Sequence, residues 1–231
     1  MNIAIITARG GSKRIPRKNI KDFCGKPIMV YSIEAAKNAG VFDTVMVSTE
    51  DDEIAEIARA AGAEVPFMRS SKTADDYATT ADVIREVLSE YEKMGRCYDK
   101  ACCIYPTAPF VTGEKLRCAM DLLEAEHRDS VMPITTFSFP PLRGVVLCEE
   151  KLSYKWPEYA LARSQDLEKL YHDCGQFYAL RVDSFLKKGT LITDNSGGIV
   201  MPELEVQDID NEIDWELAEM KYQLLKKKGR I

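Results

Sequence analysis

Residues 2–19 read NIAIITARGGSKRIPRKN, and this stretch decides the class of fold. The apolar run at 2–6 is followed closely by two glycines, which indicates a buried β-strand that ends in a tight turn. Glycine lets the main chain turn sharply and brings bare N–H groups close to a ligand. In open α/β sheets, ligands bind beyond the carboxyl ends of the strands. The opening therefore predicts a ligand-binding loop behind the first strand.

This loop is strongly basic. Five cations fall within ten residues, namely Arg9, Lys13, Arg14, Arg17 and Lys18. Such groups beside bare N–H groups suit the charge of nucleotide phosphates. The loop matches neither the Gly-x-x-x-x-Gly-Lys-Ser/Thr phosphate loop nor the Gly-x-Gly-x-x-Gly dinucleotide fingerprint. A solvated basic loop is the alternative, and the double glycine directly after a strand counts against it.

The rest of the chain alternates apolar segments with amphipathic ones. Strands are predicted at 44–48, 63–67 and 100–105, and helices at 27–39, 51–61, 82–92 and 114–126. This alternation predicts an α/β fold, with a Rossmann-like, mostly parallel sheet and helices on both of its faces. The length of 231 residues fits a single nucleotide-binding domain over 1–231.

The alternation breaks at about residue 137. Residues 137–142 are extended and apolar, and 145–148 and 152–154 look like the two arms of a β-hairpin. Unless this insertion, at about 137–170, packs back on the core, it would expose a patch of the sort that marks a partner surface. An arm folded over the active site is the alternative.

Composition limits the partners that the chain can have. The net charge of −6 argues against a general nucleic-acid binder, so the basic loop is a local site. No apolar stretch approaches the roughly 20 residues that a membrane helix needs, and Met1 leads straight into the first strand. We therefore expect a cytoplasmic protein with no nucleic-acid and no membrane partner.

Two aspartates near the C-terminus could bind a metal. Asp208 and Asp210 are separated by one residue, so on an extended segment both carboxylates project from the same face. Their oxygens would suit magnesium (Mg2+) that bridges substrate phosphates. The alternative is a helix cap, since Asp210 or Asn211 could cap the final helix. On the residues alone, the two interpretations are balanced.

Three blocks resemble a known family. The loop at 8–19 and the Gly-Lys-Pro at 25–27 resemble the opening of the acylneuraminate cytidylyltransferases, the CMP-sialic acid synthetase-like enzymes. IYPTAP at 104–109 is similar to the family's Leu-Gln-Pro-Thr-Ser-Pro, and DIDNEIDW at 208–215 to its Asp-Ile-Asp-Thr-Glu-x-Asp-Phe. The blocks occur in the family's order and cover nearly the whole chain. Residues 163–167 and 171–178 look most similar to the pseudaminic acid branch.

The resemblance implies a CTP-dependent nucleotidyltransferase with the fold of the nucleotide-diphospho-sugar transferases. CTP and a nonulosonic acid, a nine-carbon 2-keto sugar acid, would give the CMP-sugar and pyrophosphate, with magnesium held by Asp208 and Asp210. Related synthetases dimerise through the region that matches the insertion, which implies a homodimer. A Kdo-type cytidylyltransferase is the nearest rival, and a nucleotide-binding module without turnover is a more distant one. The Gly10-Gly11 pair and Lys18-Asn19 favour the sialate-type branch.

The resemblance also assigns residues to each substrate. The nucleotide site would consist of Ala8, Arg9, Gly10, Gly11, Ser12, Lys13, Lys18, Asn19, Arg69 and Thr80. The sugar site would consist of Tyr105, Thr107, Arg163, Gln165, Gln176 and Tyr178. Catalysis would depend on Arg9, Lys18, Asp208 and Asp210, through positioning and charge neutralisation. From the residues alone, Arg69 could instead pair with a surface acid, and Thr80 could cap the helix that follows.

Two positions depart from the family's usual pattern. Tyr105 stands where glutamine is usual, and Ser164 stands where an arginine often precedes Gln-Asp-Leu. Both departures argue against N-acetylneuraminate as the acceptor and favour a nonulosonic acid with different substituents, which the resemblance implies is pseudaminic acid. CMP-N-acetylneuraminate and CMP-legionaminate are the alternative products.

Overall fold

The computed structural model describes residues 1–75 and 77–231. Its strands are β1 (Asn2–Thr7), β2 (Asp22–Phe23), β3 (Lys26–Pro27), β4 (Thr44–Ser48), β5 (Lys100–Ile104), β6 (Ser130–Thr136), β7 (Val145–Cys148), β8 (Lys151–Tyr154), β9 (Tyr171–Asp173), β10 (Phe177–Arg181) and β11 (Ser196–Val200). Its helices are α1 (Ile28–Ala39), α2 (Asp52–Ala60), α3 (Ser71–Ala74), α4 (Thr80–Lys93), α5 (Gly113–Ala125), α6 (Val182–Lys188) and α7 (Glu212–Lys227).

The main sheet has the strand order β11-β6-β10-β5-β1-β4, and β9 pairs with β6. β1 is parallel to β4 and β5, and β11 is parallel to β6. β10 lies antiparallel between β5 and β6. The predicted α/β fold with a mostly parallel sheet is confirmed. The sheet also holds β9 antiparallel to β6, and neither of these two antiparallel strands was predicted, because an apolar run carries no information about strand direction.

The carboxyl ends of three neighbouring strands, β5, β1 and β4, meet at one edge of the sheet. Thr7 is in register with Ser48 of β4, and Ile6 is in register with Ile104 of β5. The segments that leave these strands, including the basic loop, therefore emerge side by side. This is the edge where ligands bind in open α/β sheets.

Helices cover both faces of the sheet, because successive side chains of a strand point in opposite directions. Ile3 and Ile5 of β1 pack against α4 and α6, whereas Ala4 and Ile6 pack with α1, α2 and α5. All four of these side chains are fully buried. Burying an isoleucine stabilises a fold by about 1.5–3 kcal/mol, so this strand anchors the loop that follows it.

A third cluster brings the C-terminal segment to the basic loop. Ile15 of the loop and Ile209, which lies between the two aspartates, are both buried in it. Phe23 and Trp215 meet there with ring centroids 5.5 Å apart, which docks α7 on the same cluster. The burial of these side chains holds Asp208 and Asp210 beside the loop, although about 190 residues of sequence separate them.

The predicted third strand at 63–67 is wrong. The segment makes one isolated parallel bridge, between Met46 and Glu64. The Glu64 N–H donates to the Val45 carbonyl at 2.8 Å, but the next donor on that side would be residue 66. Pro66 has no N–H, so the ladder ends there.

The insertion forms its own two-stranded hairpin, as predicted, outside the main sheet. Its apolar side chains are open to solvent. Leu147 and Leu152 are each 68% exposed, and Leu161 is 99% exposed. These side chains therefore do not pack back on the core of the protomer. Within the residues that the structure describes, no helix combines the length and the apolar character needed to cross a membrane.

Candidate active site

A cavity of about 510 Å³ lies at the carboxyl edge of β1, β4 and β5. We call it the first cavity. Its lining consists of Thr7, Arg9, Ser12, Lys13, Arg14, Lys18, Asn19, Arg69, Thr73, Asp75, Ala78, Thr80, Val83, Tyr105, Pro106 and Thr107. The structure thus brings together the residues predicted for the nucleotide site, except Ala8, Gly10 and Gly11, which form the main chain beside it.

Of the two adjacent glycines, only Gly10 is required by close packing. A Cβ atom at Gly10 would lie 2.7 Å from Oδ2 of Asp51, and the Gly10 N–H donates to Oε1 of Glu50 at 2.7 Å. A Cβ atom at Gly11 would meet nothing within 4 Å. Ala8 is fully buried below the turn. Gly10 therefore lets the loop approach the start of α2 closely, while Gly11 is not needed for space.

Two buried polar side chains shape the base of the first cavity. Asn19 donates from Nδ2 to the carbonyl of Arg9 at 2.8 Å, which fixes the path of the loop. Arg69 donates from Nε to Oγ of Ser48 at 3.0 Å, so the alternative of a surface ion pair is wrong. Burial lowers the pKa of Arg69, and the charge of Glu50 opposes that shift. Arg69 is thus a cation held at the end of β4.

The alternative in which Thr80 caps a helix is also wrong. Thr79 is the N-cap of α4, and it forms a reciprocal capping box with Asp82. The Thr80 hydroxyl instead lies 2.9 Å from the hydroxyl of Tyr105. Because both residues line the first cavity, this hydrogen bond ties the start of α4 to the end of β5.

The five cations of the loop have different partners. Arg17 binds Asp51 and Glu53, at the start of α2. The hydrogen bond to Arg17 lowers the pKa of Asp51. Arg14 lines the first cavity and binds Oδ1 of Asp210 at 2.6 Å. This contact of Arg14 was not predicted, because nothing in the local sequence pattern distinguishes Arg14 from Arg17.

Asp208 and Asp210, the acidic pair, flank a buried isoleucine. Ile209 between the two aspartates is buried, and Lys18 donates from Nζ to its carbonyl at 2.7 Å. Partial burial and the charge of Asp210 raise the pKa of Asp208. Burial lowers the pKa of Lys18, whereas the charges of both aspartates oppose this. Lys18 therefore links the basic loop to the acidic segment.

The helix cap is provided by a neighbour of the pair. Asn211 is the N-cap of α7 and forms a capping box with Asp214. Asp214 also accepts a hydrogen bond from the Asp210 N–H at 3.0 Å. The predicted cap is therefore confirmed for Asn211, and the side chains of Asp208 and Asp210 take no part in it.

The donor set of the pair fits magnesium, which prefers carboxylate oxygens together with water and substrate phosphates. Arg14 and Lys18 lie against these carboxylates and balance their charge. No group of three or more His, Cys, Asp or Glu side chains in 1–75 and 77–231 could hold a metal ion. A metal held by Asp208 and Asp210 would therefore need oxygens from a ligand or from water to complete its coordination.

The residues predicted for the sugar site divide into two groups. Tyr105 and Thr107 line the first cavity, and the ring of Tyr178 lies 5.6 Å from that of Tyr105. Gln176 is 2% exposed and donates from Nε2 to the Glu205 carbonyl at 2.7 Å.

The other two predicted sugar residues lie on the exposed insertion. Arg163 binds Oδ2 of Asp166 at 2.7 Å, and Gln165 is exposed beside it. The structure does not bring Arg163, Gln165 or Gln176 to the lining of the first cavity. Their predicted contacts with the sugar stay predictions.

A second cavity, of about 490 Å³, lies next to the acidic pair. Its lining consists of Thr135, Thr136, Ser138, His172, Asp173, Cys174, Gly175, Glu203, Val206, Gln207, Asp208 and Lys221. Among these, only Asp208 was predicted as a site residue. The others come from the end of β6, from β9 and the turn that follows it, from the segment before α7, and from α7 itself, which contributes Lys221. Their meeting was not evident from the sequence because it depends on the pairing of β9 with β6.

A family model described as cytidylyltransferase matches residues 3–179. The chain belongs to the cytidylyltransferase family. A pseudaminic acid cytidylyltransferase from Campylobacter jejuni is 40% identical over 224 residues, which cover 96% of this chain and 97% of that protein. A CMP-N,N'-diacetyllegionaminic acid synthase from Legionella pneumophila is 28% identical, with 94% of each chain covered.

A solved structure of similar fold is CMP:2-keto-3-deoxy-manno-octonic acid synthetase complexed with CTP. The TM-score is 0.69 and the sequence identity is 16%, with 98% of this chain and 99% of that chain covered. The nucleotide-sugar transferase type of fold is thereby confirmed. The family and its relatives also confirm the prediction of a CTP-dependent nucleotidyltransferase.

Proposed function

We propose that the chain transfers CMP from CTP to pseudaminic acid. The oxygen of the anomeric 2-hydroxyl attacks the α-phosphorus and forms the new P–O bond. The bond from that phosphorus to the bridging oxygen breaks, pyrophosphate leaves, and the hydroxyl proton is released. The observation that carries the proposal is the Lys18 hydrogen bond to the Ile209 carbonyl, which joins the cationic loop of the first cavity to the acidic segment beside the second.

The first cavity would hold CTP. Arg9, Lys13 and Lys18 would neutralise the triphosphate, while Asn19, Arg69 and Thr80 would surround the ribose and the base. Magnesium, when held by Asp208 and Asp210, would supply further positive charge to the phosphates. The protein's contribution to the reaction is then mainly positioning and charge stabilisation. For Asp210 to bind magnesium, its ion pair with Arg14 would have to break.

The choice of pseudaminic acid as the sugar is supported by two phenol groups that already have hydrogen-bond partners. The Tyr105 phenol is hydrogen-bonded to Thr80, and the Tyr178 phenol donates to Asp173. These two phenols therefore have little hydrogen-bonding capacity left for the glycerol tail of N-acetylneuraminate. Burying an unpaired hydroxyl costs about 1–3 kcal/mol, so a deoxygenated sugar with a methyl group is favoured.

We expect kcat/KM to be about ten- to a hundredfold higher for pseudaminic acid than for N-acetylneuraminic acid, at about 1.4 kcal/mol per decade. Pyrophosphate release measured side by side with pseudaminic, legionaminic and N-acetylneuraminic acids tests this. CTP without a sugar serves as the blank. A preference for N-acetylneuraminic acid would overturn the choice of sugar, whereas no turnover with any of the three would overturn the proposed function.

The proposal extends to a homodimer formed through the insertion. Its support is the exposed apolar surface of the hairpin and of the segment around Trp156. A closed symmetric dimer would bury such a surface, and aromatic residues are common in interfaces of this kind.

Light scattering at micromolar concentration should give about twice the chain mass of 26.0 kDa. Trp156→Glu should shift the mass toward that of a single chain, because a carboxylate would have to be buried unpaired. Lys187→Glu, on the exposed face of α6, is the matched control and should stay dimeric. A single-chain mass for the unmodified protein would eliminate the dimer.

A further inference from the structure

Two tyrosines stand between the lining of the first cavity and that of the second, and we call this pair the wall between the cavities. Tyr105 lines the first cavity, and Tyr178 packs edge-on against it with an interplanar angle of 61°. The Tyr105 N–H also donates to the carbonyl of Gln176 at 2.8 Å, which ties the end of β5 to the segment before β10. The position of this wall therefore depends on how Tyr178 is held.

The carboxylate of Asp173 holds Tyr178 in place. Asp173 accepts the hydroxyl of Tyr178 on Oδ2 and the N–H of Gly175 on Oδ1, the latter at 2.8 Å. Gly175 has a φ of 60°, so the turn between β9 and β10 is of a kind that favours glycine. Both oxygens of Asp173 thus accept hydrogen bonds, and the same side chain lines the second cavity.

The direction of the Tyr178 hydrogen bond is well determined. Burial raises the pKa of Tyr178, and the hydrogen bond to Asp173 raises it further. The phenol therefore remains protonated and donates to the carboxylate, and the charge on the acceptor strengthens the contact. A chain of contacts then runs from Asp173 through Tyr178 and Tyr105 to Thr80, from one cavity to the other.

We propose that Asp173 is a positioning residue for the acceptor sugar: its carboxylate fixes Tyr178, and through Tyr178 it fixes Tyr105 at the wall between the two cavities. This inference rests on the proposed function and adds to it that the second cavity, which Asp208 lines, receives the sugar acid. We expect its effect to fall on the acceptor, because Asp173 lines the second cavity, whereas the nucleotide contacts in the first cavity come mainly from the basic loop and Arg69.

The test measures KM for each substrate separately in Asp173→Asn, Tyr178→Phe and the double variant. We expect KM for the sugar to rise about tenfold or more in each single variant, as befits the loss of a hydrogen bond to a charged group. KM for CTP should stay within about twofold of that of the unmodified protein. The double variant should be no worse than the more impaired single variant, because both changes remove the same contact.

Tyr171→Phe, which removes an exposed phenol from the same strand, is the matched control and should behave as the unmodified protein. Tyr178→Phe leaves the Gly175 turn intact, so it keeps the test valid if Asp173→Asn fails to fold. An unchanged KM for the sugar, an equal rise in both KM values, or additive effects in the double variant would overturn the role of Asp173. Turnover by the unmodified protein is measured first, so that failure of the proposed function is recognised separately.

Discussion

Replacing Asp210 with asparagine should lower kcat by about 10²- to 10³-fold while the fold is kept. Asparagine has nearly the same shape, but it lacks the negative charge that a magnesium ion beside a triphosphate requires. It also removes the ion pair with Arg14, at 2.6 Å, but that pair is largely solvent-exposed and contributes little to stability. The capping box of Asn211 and Asp214 remains, so α7 should still form.

The measurement is pyrophosphate release at saturating CTP and sugar, with circular dichroism to check the fold. Binding of Mn2+ in the presence of CTP, followed by electron paramagnetic resonance, gives a second readout that does not depend on turnover. Glu212→Gln is the matched control, because it removes a nearby exposed acid that pairs with Lys21. Near-normal turnover and Mn2+ binding in Asp210→Asn would remove the metal role from the acidic pair.

Lys18→Ala should lower kcat by about 10²-fold, a magnitude typical for one preorganised charge-stabilising group. Its ammonium group donates to the Ile209 carbonyl and lies close to both aspartates, so it can face phosphate charge from a fixed position. The loss of that hydrogen bond should also lower the free energy of unfolding by about 0.5–1.5 kcal/mol. Lys18 is half-buried and anchored, so its removal affects stability as well as the rate.

Saturating kinetics and urea denaturation separate the two effects of this substitution. Lys21→Ala is the matched control, since Lys21 lies three residues further on, pairs with Glu212 and lies outside the first cavity. It should retain a near-normal rate. An undiminished kcat in Lys18→Ala would reduce Lys18 to a structural link between the loop and the acidic segment.

Local sequence patterns were sufficient for most of the fold. The period of the apolar residues placed α1, α2, α4 and α5 to within about two residues, because each helix has one buried stripe. The same reasoning failed at 63–67, where the residue types suit a strand but Pro66 breaks the ladder. The antiparallel direction of β10 was also beyond it, since direction depends on how the chain returns to the sheet.

The sequence by itself determined the class of fold, the family and the basic character of the first loop. Residue types and their spacing carry that information, because they set which segments are buried and which groups can face a phosphate. Only the tertiary structure decided which cation serves which partner. Arg17 turns to the acids of α2 whereas Arg14 reaches Asp210, and the burial of Ile15 and Ile209 in one cluster brings that aspartate within reach. Contacts of this kind join segments that are distant in sequence, and no local pattern encodes them.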